Sequence, residues 1–244
     1  MTLTTRGVDL FARYAHAPNA LGFCGPSTGL GGSETDVRAA ATRFSGAWPY
    51  LRVLARLTGT ADPLDARLVE SYWLGRDVGV DGATFGAALL EVIGPRAGHY
   101  WTHLTPELLA EASGDHGFHV FGVYPWSRLL SRGRATGGSP GDEHPLHVLD
   151  SCRIRWGTVL ARGADGVDVA SRRLTWDGTA LGLSEPVTER IAPGHTQVDV
   201  GVGDSVALHW QWLCDRLAPA QVYDLQASTQ RQLTATSRRL QHTA

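Results

Sequence analysis

Three cysteines and a few histidines carry most of the chemistry open to this chain. Cys152 begins the stretch Cys152-Arg-Ile-Arg-Trp-Gly157-Thr-Val159, and His209 closes Val202-Gly-Asp-Ser-Val-Ala-Leu-His209. A thiolate is a soft metal ligand, and imidazole is a common second ligand beside it. A free thiol with a pKa near about 8.5 is mostly protonated at neutral pH, so bound metal or the neighbouring Arg153 and Arg155 must supply the bias toward thiolate. Strand alternation from Cys152 onward would point both arginines to the opposite face. The competing assignment makes Cys152 a small buried hydrophobe and His209 a satisfied core histidine. Cys24 lies in Leu21-Gly-Phe-Cys24-Gly-Pro26, where glycine and proline fix a turn, and it either lines a metal site or packs as a loop thiol. His116 and His119 form His-x-x-His, a possible metal pair that lacks the glutamate and the spacing of the zinc-protease signature. Cys214 follows an apolar run and reads as core. His99 and His103, four apart around Trp101, read as a packing face.

The first half of the chain must position its candidates on helices. Leu10, Phe11 and Tyr14 follow helical spacing, and residues 16–32, with Pro18 and Pro26, should break it. Ser33 is a natural N-cap for a helical stretch over residues 34–57, which Pro49 should kink or divide. Further helices are expected from Pro63, over residues 82–94, and from Thr105-Pro106-Glu107. Residues 118–124 fit either a strand or a buried helix, because a short apolar run has no decisive period.

At Ser131 the composition changes. Residues 131–145 are rich in glycine and polar side chains and read as a linker. Short alternating runs follow over residues 154–159, 167–169, 174–176, 180–183 and 205–210, with an Asp177-Gly178 hairpin signal. Many short strands suggest a small closed barrel, and a polar helix should run from about Pro219 to Leu240. The expected class is α+β: a mainly helical domain over residues 1–145, then a β-barrel with a terminal helix over residues 146–244.

Composition closes off several functions. The 244 residues carry 22 basic and 24 acidic side chains, so no basic footprint for nucleic acid exists. All the basic residues are arginine, which excludes Schiff-base and P-loop lysines. Three cysteines make no disulfide framework. No apolar run reaches the ~18 residues of a membrane span. The first ten residues lack a secretory pattern, so a reducing cytoplasmic setting is expected, with no membrane partner.

The two motifs around Cys152 and His209 resemble those of the HypC/HybG/HupF family, small metallochaperones of [NiFe]-hydrogenase assembly. Cysteine-to-glycine spacing in the first and glycine-to-histidine spacing in the second match that family's pattern. The likeness covers roughly residues 152–240. It departs where the family has proline and lysine and this chain has Trp156 and Thr158, and where some 150 residues precede a cysteine that is N-terminal in the family. The resemblance implies an OB-like barrel and an Fe(CN)2CO unit bound through Cys152, with His209 as second contact. It also implies a hydrogenase large-subunit precursor and a HypD-like protein as partners. The N-terminal motifs, Arg6 to Tyr14, Cys24-Gly-Pro26 and Phe118 to Trp126, resemble an uncharacterised actinobacterial family associated with hydrogenase gene clusters. The expected role is therefore a non-enzymatic assembly factor. One alternative is a metal- or thiol-dependent enzyme using Cys24, Cys152 and His116 or His119; another is a metal-free structural chaperone.

Overall fold

The computed structural model describes residues 3–93, 104–134 and 143–242; His99 and His103 lie outside them. The chain divides into two compact units, Met1–His119 and Val120–Ala244. Its class is α+β, with helices first, then a five-stranded antiparallel sheet and a C-terminal helix. Among the described residues no helix is long and apolar enough to cross a membrane.

The first unit is built from α1 (Leu3–Ala20), α2 (Glu34–Ala41), α3 (Trp48–Thr58), α4 (Ala66–Leu74), α5 (Gly82–Ile93) and the short α6 (Pro106–Leu109) and α7 (His116–Phe118). α1 does not stop before Pro18: proline sits in its last turn, and the Pro18 carbonyl then accepts the Phe23 and Cys24 amides at 2.9 and 3.2 Å. Ser33 and Asp36 form the reciprocal capping box that starts α2. Pro49 divides the next stretch as expected, because it occupies the first turn of α3, where no amide is needed. Asp65, rather than Pro63, caps α4. The core is aromatic. Tyr14 stacks on Trp73 at 5.6 Å, and Phe11 meets Phe44 edge-on at 5.3 Å.

The second unit opens within a π-helical turn, His119–Val123, which resolves the ambiguous apolar run as buried helix. α8 (Trp126–Arg134) and α9 (Glu143–Cys152) follow. The stretch expected as linker is thus helical at both described ends, and only residues 135–142 between them lie outside the description. The strands are β1 (Arg155–Gly163), β2 (Gly166–Trp176), β3 (Leu181–Ile191), β4 (Ser205–His209) and β5 (Trp212–Arg216), ordered β3-β2-β1-β4-β5. Two of the expected short runs merge into β2. A Thr196–Leu213 bridge adds a segment beside β5. Residues from every strand share one core: Val159, Val169, Ile191, Val206, Leu208 and Leu213 among them. α10 (Pro219–His242) is tied to β3 by the Ser237 hydroxyl, which accepts the Leu181 amide at 2.9 Å.

Two glycines set how closely elements approach. A Cβ on Gly157 would stand 2.5 Å from Val169 Cγ1 and 2.7 Å from the Ala170 carbonyl, so this glycine lets β1 and β2 pair closely. A Cβ on Gly7 would stand 1.9 Å from the Leu64 carbonyl, backbone that cannot step aside. Alanine is the better helix former by about 1 kcal/mol. Overpacking should nevertheless win, and Gly7→Ala is expected to lose about 1–3 kcal/mol in chemical denaturation. An unchanged or raised midpoint would contradict the close approach of α1 to the start of α4.

Candidate metal centre

Cys152 and His209 meet in the second unit because of strand register. β1 and β4 pair Arg155 with Leu208 and Trp156 with Ala207. One step beyond, the chain before β1 lies beside His209. α9 ends at Cys152, and the Arg153 amide still donates to the Leu149 carbonyl at 3.0 Å, so the thiol stands on the last helical turn. The strand alternation that set Arg153 and Arg155 opposite to Cys152 therefore does not reach back to the cysteine. The Cys152 sulfur and a His209 ring nitrogen lie within 4.8 Å of each other, and both residues are buried. A metal with sulfur at about 2.3 Å and imidazole nitrogen at about 2.0 Å can bridge the two at any separation up to about 4.3 Å, inside that bound. The negative end of the α9 dipole also favours a cation there.

The motif residues around the pair have definite tasks. Gly203, at φ 90°, turns the chain into β4, and its amide donates to the Val159 carbonyl at 2.9 Å. The Asp204 carboxylate closes the same turn by accepting the Gly201 amide at 2.8 Å. After His209 the chain reverses through Trp210 and Gln211 into β5. Trp210 has φ 54°, the one positive φ outside glycine among the described residues. For so bulky a side chain this region is disfavoured, at a cost of about 1–3 kcal/mol.

Beside Cys152 lies a buried ionic network that the sequence did not reveal. Arg153 and Arg155 are 2% and 1% exposed. Arg153 donates through Nε and Nη2 to Asp150 at 3.0 and 2.8 Å, and through Nη2 to the Arg172 carbonyl at 2.7 Å. Arg155 donates to Glu189, to Ser171 Oγ at 3.1 Å and to the Trp210 carbonyl at 2.7 Å. Arg173 joins the two acids, reaching Asp150 at 3.3 Å and Glu189 at 2.9 Å. Burial alone would push the Asp150 carboxyl up, but the Arg153 and Arg155 charges and the Leu174 amide outweigh it and hold it below its ordinary value. Burial pulls Arg153 down to about 10 against the Asp150 charge, which leaves it cationic at neutral pH. The signal available in sequence was faint: two arginines alternating with apolar residues at the start of a strand.

The other metal candidates, Cys24, His116 and His119, belong to the first unit. Cys24 is half-buried in a loop held by Asn19, whose Nδ2 donates to the Cys24 and Pro26 carbonyls at 3.0 and 2.9 Å. Burial pushes its thiol up to about 11 despite the Gly46 and Gly25 amides, so it is a thiol and not a thiolate at neutral pH. His116 opens α7 behind the Asp115 cap, with its Nδ1 3.1 Å from the Tyr72 hydroxyl and its ring 4.8 Å from that of Trp73. His119 is buried and edge-on to Tyr50, and burial pulls it down to about 3, keeping the imidazole neutral. The two histidine rings lie 6.3 Å apart. Cys214 is buried in β5, as expected of a core residue.

Comparison with known proteins returns one family, a family of unknown function (DUF6390), whose profile matches residues 3–243. No curated protein and no solved structure matches the chain.

Neutralising Asp150 strands the Arg153 guanidinium in the interior. Asp150→Asn should therefore destabilise the second unit by about 3–5 kcal/mol. Asp168→Asn, which breaks the exposed cross-strand pair with Arg190, should leave the midpoint nearly unchanged. Asp150 titrates below its unfolded value, so its contribution is present above about pH 3.9 and lost as pH falls further. Equal urea midpoints for the two variants at pH 7 would contradict the network's structural weight.

Proposed function

We propose, for a chain that belongs to the DUF6390 family of unknown function, that it is a non-enzymatic assembly factor whose C-terminal unit holds a soft metal through Cys152 and His209. The observation that carries this reading is the buried thiol–imidazole pair, with ligand atoms within 4.8 Å, on the ends of α9 and β4. The proposed cargo is an Fe(CN)2CO unit, acquired from a HypD-like partner and passed to a [NiFe]-hydrogenase large-subunit precursor in the cytoplasm. The chemistry of the donor set supports it. Thiolate sulfur suits a low-spin iron already carrying strong-field ligands, and imidazole suits it as a second contact. Such a unit arrives with three positions filled by cyanide and carbon monoxide, so two protein ligands go far toward completing it. A structural zinc site demands four. Burial of both side chains, at 8% and 1% exposure, would shield the cargo from water.

The test is production in a hydrogenase-making host followed by infrared spectroscopy of the purified protein. Wild type should show cyanide and carbonyl stretching bands. Cys152→Ser, which keeps the volume and removes the soft ligand, should lose them, with bound iron reduced on the order of tenfold or more. His209→Ala should lose less. Absent bands together with normal hydrogenase maturation by Cys152→Ser would refute the carrier role. Bound zinc with turnover would indicate an enzyme, and a metal-free stable complex a chaperone.

A further inference from the structure

Cys152 and His209 come from elements of different kinds, a helix end and a strand end, and no covalent or ladder contact fixes one to the other directly. The backbone of Trp210 supplies a link. Its amide donates to the carbonyl of Ser151, the residue before Cys152, at 2.8 Å. Its carbonyl accepts from Nη2 of Arg155, three residues after Cys152, at 2.7 Å. One residue next to His209 is thus held at both of its backbone polar groups by residues that bracket the cysteine. Trp210 itself sits in the left-handed region, which a bulky residue leaves unless it is held. The hand that holds it is Arg155, the largest of the fully buried side chains among the described residues. Its guanidinium is fixed in turn by Glu189 of β3 and Ser171 of β2. Ser171 also donates to the same Glu189 carboxylate.

We infer that Arg155 and Glu189 are positioning residues for the metal pair: through the Trp210 backbone they set the separation of the Cys152 sulfur and the His209 imidazole. The inference rests on the proposal that this pair binds metal, and it adds which groups make the pair competent. Arg155 suits the task because its planar fork reaches two acceptors in different directions. A lysine at the same place keeps the charge and can satisfy Glu189 or the Trp210 carbonyl, not both. Glu189→Gln keeps the shape and removes the charge that anchors the guanidinium.

Cobalt(II) added to the purified full-length protein is the probe, read by the thiolate-to-cobalt charge-transfer band and by titration. Thermal midpoints are measured on the same samples. Val169→Ala is the control, because it opens the core of the same sheet and removes none of the polar groups that hold Arg155. Arg155→Lys and Glu189→Gln should each weaken cobalt binding about tenfold to hundredfold, the range for residues that orient ligands. Val169→Ala should stay within about twofold even where its midpoint falls as far. Glu189→Gln keeps the test open if Arg155→Lys does not fold. Cobalt affinities of both variants within about twofold of wild type, with Cys152→Ser still abolishing the band, would overturn the positioning role and leave the metal pair standing. Affinity that tracks the thermal midpoint in all variants, Val169→Ala included, would overturn it equally. A wild-type protein without the charge-transfer band would remove the metal pair and this inference together.

Discussion

A single buried guanidinium joins the elements that the C-terminal unit brings together. Arg155 starts β1, contacts Ser171 on β2 and Glu189 on β3, and reaches the turn between β4 and β5 through the Trp210 carbonyl. These three attachments are side-chain or backbone acceptors that would otherwise face an apolar interior. The charge is costly to bury, and the cost is offset only while the acceptors stay in place. The sheet, the turn and the end of α9 therefore hold their arrangement together or lose it together.

That constraint explains why Cys152 stands where it does. Asp150, on the last turn of α9, is anchored to Arg153, Arg173 and the Leu174 amide of β2. The helix end is thereby fixed to the sheet on one side of the cysteine, and Ser151 ties it to Trp210 on the other. Three arginines meet two carboxylates here, so the network carries one surplus positive charge beside a thiol whose binding form is anionic.

Much of the scaffold was legible from residues. Ser33, Pro49, the Asp177-Gly178 turn and the alternation after residue 154 each encode a local rule, and each is met. Gly203 and Gly157 read as motif letters and prove to be a turn and a close strand approach. The site was half legible. Cysteine and histidine spacing marked the pair, while the residues that bring it together were hidden. α9 was masked by the glycine-rich stretch before it and by Pro145, which is harmless in a first helical turn. Arg153 and Arg155 read as strand residues facing away from Cys152, and their burial depends on acids at 150 and 189 that no local pattern announces. Trp210 gives no sign of its backbone conformation, because the turn contains neither glycine nor asparagine where one is usual.

The central claim is that one metal sits between Cys152 and His209. X-ray absorption at the metal edge of the loaded protein addresses it most directly. The account predicts one sulfur scatterer at about 2.3 Å together with imidazole nitrogen near about 2.0 Å, the sulfur shell vanishing in Cys152→Ser and the imidazole contribution falling in His209→Ala. A first shell of oxygen and nitrogen only, unchanged by either substitution, would contradict it.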